Sequence, residues 1–288
     1  LTANADTGAD FTGGAGDDIF TGTIVGAMLS GSTYTVGDDL NGGSGTGDRL
    51  NITVSGDAGA TYSARSLTGI ESVLVSNFDT DAVNGDDFDG AQWSGVTTVG
   101  LSSAAADGDT DFINMAALAG ASLASSAADL SVTYAAGARL TGAETQTLAL
   151  TGTTAGTFTA DNLIGTIAVT ANSNSTLTDI VAGTSTTGLT IAGSGNLTVS
   201  NELQQFTTVN ASTATGNVSL VVQNAASNLN VTMGSGDDTI DIGAELTDAD
   251  TLTGGIGRDT LIVDDSSDIS GLTALNGISE FEVVRMTD

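Results

Sequence analysis

The feature that most constrains this chain is a short glycine and aspartate phrase. It is clearest at residues 254–261, which read G-G-x-G-x-D-x-U, where U is a large apolar residue. Glycine lets the backbone turn tightly through positive φ, so that bare carbonyl groups can point to one side of the loop. The aspartate adds a carboxylate, and the apolar residue begins a short strand that faces a core. The phrase therefore predicts oxygen-lined turns at the edge of a thin β-structure.

The phrase occurs four times, at both ends of the chain. Residues 13–20 match in full, residues 42–50 match with one insertion, and Met233 stands where the first glycine of the third copy would be. Further aspartates extend two copies in nine-residue steps, as Asp39 with Asp48 and as Asp250 with Asp259 and Asp268. Nonapeptide spacing of this kind is typical of a calcium-binding parallel β-roll.

These turns are the predicted metal sites, because calcium is a hard ion that takes six to eight oxygen ligands. The sequence predicts several calcium ions, held by Gly13, Gly14, Gly16, Asp18, Asp39, Gly42, Gly43, Gly45, Asp48, Gly234, Gly236, Asp238, Asp250, Gly254, Gly255, Gly257, Asp259 and Asp268. The alternative is that the phrases are acidic surface turns without an ion. The carboxylates of residues 79–81 and 107–111 leave the same two possibilities open.

The charge of the chain points to cations as partners. It has 35 acidic residues against five basic ones, all arginine, for a formal net charge of −30. Nucleic-acid binding needs a basic patch, so the sequence predicts no nucleic-acid partner. Self-repulsion on this scale opposes a compact state unless cations neutralise it. A salt-adapted acidic surface would explain some of the charge, but not its position beside glycine pairs.

The composition also argues against catalysis. The chain has no His, Cys or Lys, which removes the usual nucleophile–base pairs, zinc sites and Schiff bases. β-Helical polysaccharide enzymes use paired carboxylates and a surface that binds sugars, yet aromatic residues make up only 4% of the chain. We therefore predict no enzyme and no catalytic residue, and a polysaccharide-processing enzyme is the weakest alternative.

The middle of the chain predicts the fold. Short β-prone runs bounded by Gly, Asn or Ser follow one another at 130–134, 146–150, 165–170, 189–192, 196–200, 207–210, 217–222 and 229–233. They lack hairpin turn signals, which favours an all-β, right-handed parallel β-helix or β-roll solenoid over the alternative, an antiparallel sandwich. Residues 112–129, rich in alanine, predict one short helix, and Trp93 is predicted to lie in the core.

The predicted organisation has four segments. Residues 1–52 form an N-terminal calcium-binding segment, 53–232 the solenoid body, 233–271 the C-terminal calcium-binding turns, and 272–288 a closing strand. A second phrase, L-x-G-I/A followed by a strand, recurs at 66–75, 140–148 and 275–284 and supports a repeating architecture.

The segments 13–18, 40–52 and 67–73 resemble the surface-layer (S-layer) proteins of Gram-negative bacteria that carry RTX, or hemolysin-type, calcium repeats. The resemblance implies calcium-dependent folding and export by type I secretion. In that family, aspartate carboxylates and glycine carbonyls hold calcium between successive turns, which here would involve Asp18, Asp48, Asp238 and Asp259 with their glycines. The motifs are few and scattered, which favours separate calcium sites that each link neighbouring turns over one continuous calcium-binding roll.

The resulting functional prediction is an extracellular, cell-surface structural protein that assembles with copies of itself into an S-layer lattice. A cell-surface polysaccharide is a further predicted partner. No apolar run is long enough for a transmembrane helix, so membrane insertion is not predicted. The alternative is an RTX adhesin or extracellular filament protein that binds a surface glycan or protein.

Overall fold

The structure is a computed structural model that describes residues 1–2, 6, 11–26, 31–56, 59–80, 85–223, 228–264 and 277–287. Strands dominate it, with a short 3-10 turn at Ala136–Ala138. The chain divides into two compact units, Leu1–Leu140 and Thr141–Asp288. This boundary lies inside the segment 53–232 that the sequence assigned to a single solenoid body.

The first unit is a stack of parallel strands in three sheets. Its strands are β1 (Ile19–Val25), β2 (Asp39–Asn41), β3 (Arg49–Gly56), β4 (Thr61–Tyr62), β5 (Ser66–Thr68), β6 (Ser72–Asp79), β7 (Asp86–Asp89), β8 (Trp93–Ser94), β9 (Thr98–Ala104), β10 (Thr110–Met115), β11 (Gly120–Ala124) and β12 (Leu130–Tyr134). The sheets are β1-β3-β6-β9-β11, β4-β7-β10-β12 and β2-β5-β8. From β3 to β9 the chain visits them in rotation, and from β9 to β12 it alternates between the first two, so each circuit is one turn of a β-solenoid.

The second unit repeats this principle. Its strands are β13 (Glu144–Thr151), β14 (Thr157–Ala160), β15 (Ile164–Ala171), β16 (Ser175–Leu177), β17 (Asp179–Val181), β18 (Gly188–Gly193), β19 (Leu197–Glu202), β20 (Thr208–Ala214), β21 (Val218–Val221), β22 (Asn230–Thr232), β23 (Thr239–Gly243), β24 (Thr251–Thr253), β25 (Thr260–Val263), β26 (Ile278–Ser279) and β27 (Val283–Met286). The main sheets are β13-β15-β18-β20-β22-β24-β26 and β16-β19-β21-β23-β25-β27, and β14 pairs with β17. From β18 onward the chain alternates between the two main sheets.

The core of each unit consists of ladders of apolar side chains. Alternate residues of β3 point inward, and Leu50 aligns with Val73 and then with Val99 on the following turns. In the second unit Ile240 aligns with Leu261 in the same way. Strand pairings in the described parts of both units are parallel, which confirms the predicted solenoid and excludes the antiparallel sandwich there.

Most of the local predictions are confirmed. Each of the eight predicted runs between residues 130 and 233 contains a strand, and Trp93 is only 4% exposed, with its ring edge-on to Phe112. The helix predicted within 112–129 is wrong, because β10 and β11 occupy that segment. Ala121 and Leu123 alternate inward with the period of a strand, so pairing with β9 overrides the helix propensity of alanine.

Candidate metal centres

The glycine turns stack at one corner of each unit. In the first unit, residues 13–18, 42–48 and 69–71 lie directly before β1, β3 and β6, which are neighbours in one sheet. In the second unit, residues 254–259 lie before β25, between the turn before β23 and the turn before β27. The four predicted copies are therefore brought together as two separate pairs, each followed by a short third turn.

A column of carboxylates runs through the first corner. The backbone N–H of Asp18 donates to Asp48 Oδ1 at 2.6 Å, and the N–H of Asp48 donates to Glu71 Oε2 at 2.8 Å. Asp18 Oδ2 accepts the N–H of Gly14 within its own turn, at 2.7 Å. Asp48 Oδ2 has no hydrogen-bond partner, although Asp48 is completely buried.

The second corner repeats this arrangement. The N–H of Asp238 donates to Asp259 Oδ1 and the N–H of Asp259 to Glu282 Oε2, both at 2.8 Å. Asp238 is satisfied, since its carboxylate accepts the N–H groups of Val218 at 2.7 Å and Gly234 at 3.2 Å. Asp259 Oδ2, in contrast, is buried without a partner, as Asp48 Oδ2 is.

An unpartnered, buried carboxylate oxygen is costly, because it has lost its hydration without gaining a hydrogen bond. Burial raises the pKa of Asp259 above its ordinary value, and the charges of Asp238 and Glu282 raise it further. Burial likewise raises the pKa of Asp238. The electrostatics of this corner thus favour the arrival of positive charge.

The glycines are required by close backbone approach. Gly43 and Gly255 hold equivalent positions with φ of +94° and +97°, a region that disfavours other residues. A Cβ on Gly42 would overlap the carbonyl oxygen of Gly69 and lie 2.7 Å from Asp48 Oδ2. A Cβ on Gly254 would overlap the carbonyl oxygen of Glu280. Only glycine leaves these oxygens room.

Carbonyl oxygens of one turn face the glycines of the next. The carbonyl oxygens of Gly13 and Gly14 lie against Gly43, that of Gly16 against Gly45, that of Gly234 against Gly255, and that of Gly236 against Gly257. A Cβ on Gly43, Gly45, Gly255 or Gly257 would collide with the carbonyl oxygen that faces it. The predicted glycines therefore form two oxygen-lined cradles, one in each unit.

Two of the predicted aspartates lie elsewhere. Asp39 is in β2, where its carboxylate accepts the hydroxyl of Ser66 on the next turn. Asp250 caps a local turn, accepting the N–H of Thr247 at 2.7 Å and that of Leu229 at 2.8 Å. Asp268 lies outside the described residues. Residues nine apart therefore lie beside successive strands of one solenoid circuit and do not stack. The aspartates that do stack are 30 residues apart in the first unit and 21 apart in the second.

The sequence reasoning missed two glutamates and one aspartate. Glu71 and Glu282 continue the carboxylate columns, in the equivalent segments 67–71 (LTGIE) and 278–282 (ISEFE). Their shared signal is an apolar residue, a hydroxyl, any residue, an apolar residue and glutamate. Asp38, beside the predicted Asp39, is the buried member of that pair and accepts the N–H of Thr35 at 2.7 Å, much as Asp250 caps Thr247.

The donor set consists of oxygen atoms. Within the described residues, no three side chains of the types His, Cys, Asp or Glu come together as a metal site. Each corner instead combines one unpartnered carboxylate oxygen with backbone carbonyl oxygens that pack against the glycines of the same turn. Oxygen-only ligands of this kind suit calcium or magnesium and do not suit softer metals. The residues present fit a calcium ion.

No protein-family model matches the chain, and no curated protein or solved structure matches it. In the part of the chain that the structure describes, no helix has the length and hydropathy needed to cross a membrane. The geometry of the two corners therefore carries the functional argument.

A separate buried carboxylate lies in the acidic region that the sequence singled out. Asp86 is fully buried, and its Oδ2 accepts the Nδ2 group of Asn77 at 2.9 Å. Burial raises the pKa of Asp86 to about 6, and the charge of nearby Asp79 adds to the rise while the Asn77 hydrogen bond opposes it. Tyr62 lies close enough to interact with Asp86 electrostatically, although its hydroxyl lacks hydrogen-bond geometry in the structure.

This raised pKa predicts a specific pH dependence. The folded state holds the Asp86 proton more tightly than the unfolded chain, so this residue costs stability as pH rises from about 4 through about 6. Asp86→Asn should be more stable than the wild type at pH 7 by roughly 1–3 kcal/mol, and the difference should shrink toward pH 4. Urea unfolding followed by the fluorescence of Trp93, the single tryptophan, measures this. A difference that is constant with pH would contradict it, and exposed Asp107→Asn is the control.

The close packing of the glycine turns predicts that alanine destabilises the fold at one glycine and has little effect at another. Gly42→Ala should destabilise the first unit by about 1–3 kcal/mol, because its Cβ must displace the Gly69 carbonyl or the Asp48 carboxylate. Gly16→Ala is the matched control, since a Cβ there meets no atom within 4 Å. It should change stability by less than about 0.5 kcal/mol. Unfolding monitored by Trp93 compares the two, and equal effects would show that the cradle is not tightly packed.

Proposed function

We propose that this chain is an extracellular structural protein whose β-solenoid is stabilised by calcium, and that it serves as a subunit of a cell-surface S-layer lattice. One observation carries the proposal. Each unit contains a corner in which a buried carboxylate oxygen without a partner belongs to a turn whose glycines pack against carbonyl oxygens of the neighbouring turns. This arrangement is costly when empty and favourable when it holds a divalent cation.

The chain's own residues would hold the ion and tie the turns together. Asp48 and Asp259 supply the buried carboxylates, and the glycines before them hold carbonyl oxygens at short range. Extracellular modules bind calcium with a Kd on the order of 10⁻⁴–10⁻³ M. At ~1 mM calcium and a Kd of ~0.1 mM, one site stabilises the folded state by about 1.4 kcal/mol. Several such sites amount to a sizeable fraction of a domain's stability.

Lattice assembly is supported by the acidic faces. Asp87 and Asp111 lie side by side on β7 and β10, and burial raises the pKa of Asp87 while the charge of Asp111 adds to the rise. Asp109 and Asp129 lie directly before β10 and β12 of the same sheet, and the Asp129 N–H donates to Asp109 Oδ1 at 2.8 Å. Calcium bridging such faces on adjacent subunits would neutralise both.

The edge of β1 argues against assembly by adding strands there. The N–H of Thr33 donates to the Thr23 carbonyl at 2.8 Å, and the N–H of Val25 donates to Ser32 Oγ at 2.9 Å. These backbone groups at the outer edge of the strand are thus occupied within the chain. Covered edges of this kind prevent uncontrolled pairing between sheets.

Asp48→Asn gives a sharp test of calcium stabilisation. The asparagine keeps an oxygen to accept the Asp18 N–H, but it removes the buried charge. In chelator the variant should be more stable than the wild type, because an unpaired buried charge is gone. In millimolar calcium this advantage should fall by about 1.4 kcal/mol, since the wild type gains that much from this site and the variant does not.

The measurement is urea unfolding of the full chain, followed by Trp93 fluorescence with calcium and with chelator. Glu202→Gln removes the same charge from an exposed position and should respond to calcium as the wild type does. If wild type and Asp48→Asn respond equally to calcium, Asp48 does not bind the ion. If the wild type shows no response at all, the proposed calcium dependence fails.

Assembly is tested by negative-stain electron microscopy of the wild-type chain. Millimolar calcium should produce ordered sheets or filaments of identical subunits, and excess chelator should disperse them. Folded monomers over a wide range of protein concentration would contradict the lattice. If such monomers bound a surface glycan or protein, they would favour the adhesin alternative instead.

A further inference from the structure

The two glycine stacks end in the same way. In the first unit the stack ends at residues 69–71, a turn of three residues that follows the seven-residue turn 42–48. In the second unit it ends at residues 280–282, a turn of three residues that follows the six-residue turn 254–259. A glutamate stands in each short turn where the longer turns have aspartate. Its extra methylene reaches across the shorter turn, and the hydrogen bond to the aspartate N–H above is 2.8 Å long in both units.

The short turns also share an uncommon backbone conformation. Gly69 and Glu280 both have φ of +59°, and their carbonyl oxygens lie against Gly42 and Gly254 of the turn above. Positive φ is uncommon for a residue other than glycine, so its adoption by Glu280 indicates that the surrounding structure imposes this conformation. Each short turn therefore presents a carbonyl oxygen and a carboxylate to the last glycine turn.

The last glycine turn holds the unpartnered atoms described above, Asp48 Oδ2 and Asp259 Oδ2. Oε2 of the half-buried Glu71 and of the exposed Glu282 accepts an aspartate N–H, and Oε1 of each accepts no hydrogen bond from a described residue, so Oε1 is free to turn toward an ion. Asp259 lies within the electrostatic influence of Glu282. A glutamate serving only as a backbone cap would add negative charge here without need.

We propose that Glu71 and Glu282 are calcium ligands that close the two columns, each completing a centre with the buried aspartate of the turn above. This inference rests on the proposed calcium function. It assigns each unit one centre between its last glycine turn and its short turn, with two carboxylates contributed by different turns. The short turns thus become part of the metal sites, where the sequence motif places only glycine and aspartate.

Glu→Gln substitutions separate a ligand from a cap. Glutamine keeps an oxygen that accepts the aspartate N–H, but it loses the negative charge and the strong ligand. The number and affinity of calcium ions bound to the full chain are measured by equilibrium dialysis for the wild type, Glu71→Gln, Glu282→Gln and the double variant. Exposed Glu202→Gln, which removes the same charge from the end of β19, is the control.

Each single variant should lose one calcium ion or bind it at least tenfold more weakly, and the double variant should lose two. Glu202→Gln should bind as the wild type does. Circular dichroism at saturating calcium checks folding, and a Gln variant that folds only at higher calcium than the wild type also supports the proposal, because a cap would leave calcium dependence unchanged.

Unchanged ion number and affinity in the Gln variants, together with loss of ions in Asp48→Asn, would overturn the ligand assignment and leave the proposed calcium function intact. A wild-type chain that binds no calcium would overturn both. These two failures are distinguished within one set of measurements.

Discussion

The arrangement on which the structure depends is a carboxylate buried beneath a glycine turn. One oxygen of this carboxylate accepts the N–H of an aspartate or an apolar residue on the preceding turn. This hydrogen bond links successive turns at the corner directly before the strands. The second oxygen of the carboxylate is satisfied in Asp238 and unpartnered in Asp48 and Asp259. In a chain with a net charge of −30, positive charge close to these oxygens would reduce the repulsion that opposes close packing of the turns.

The solenoid and the corners support each other. Parallel strands on successive turns align in register, so an aspartate directly before one strand lies against its counterpart before the next. The same register sets glycine over glycine, and the missing Cβ atoms let carbonyl oxygens approach a neighbouring backbone. The apolar ladders fix the spacing of the turns, while the corners add contacts that are sensitive to charge. Cations bound at the corners would therefore act on the stability of a fold whose core is otherwise a stack of apolar side chains.

Much of this could be predicted from the sequence, and the rest depended on register. The glycine phrases, the short strands of 130–233 and the buried Trp93 are local signals, and the structure places them as expected. The number of residues in one solenoid circuit, in contrast, cannot be read from a local motif. It pairs Asp18 with Asp48 and separates Asp48 from Asp39, so the nine-residue steps did not identify stacked residues. Glu282 was missed because its equivalence to Glu71 follows from strand pairing, and Glu280 stands where the first copy has Gly69.

The most direct test of the account is a crystal structure of the chain grown in calcium, with anomalous diffraction used to locate the ions. The account predicts anomalous peaks at both corners, about 2.3–2.6 Å from Asp48 Oδ2 and Asp259 Oδ2 and from carbonyl oxygens of the glycine turns. Corners that contain only water, or buried carboxylates that have turned to accept protein hydrogen bonds, would contradict it.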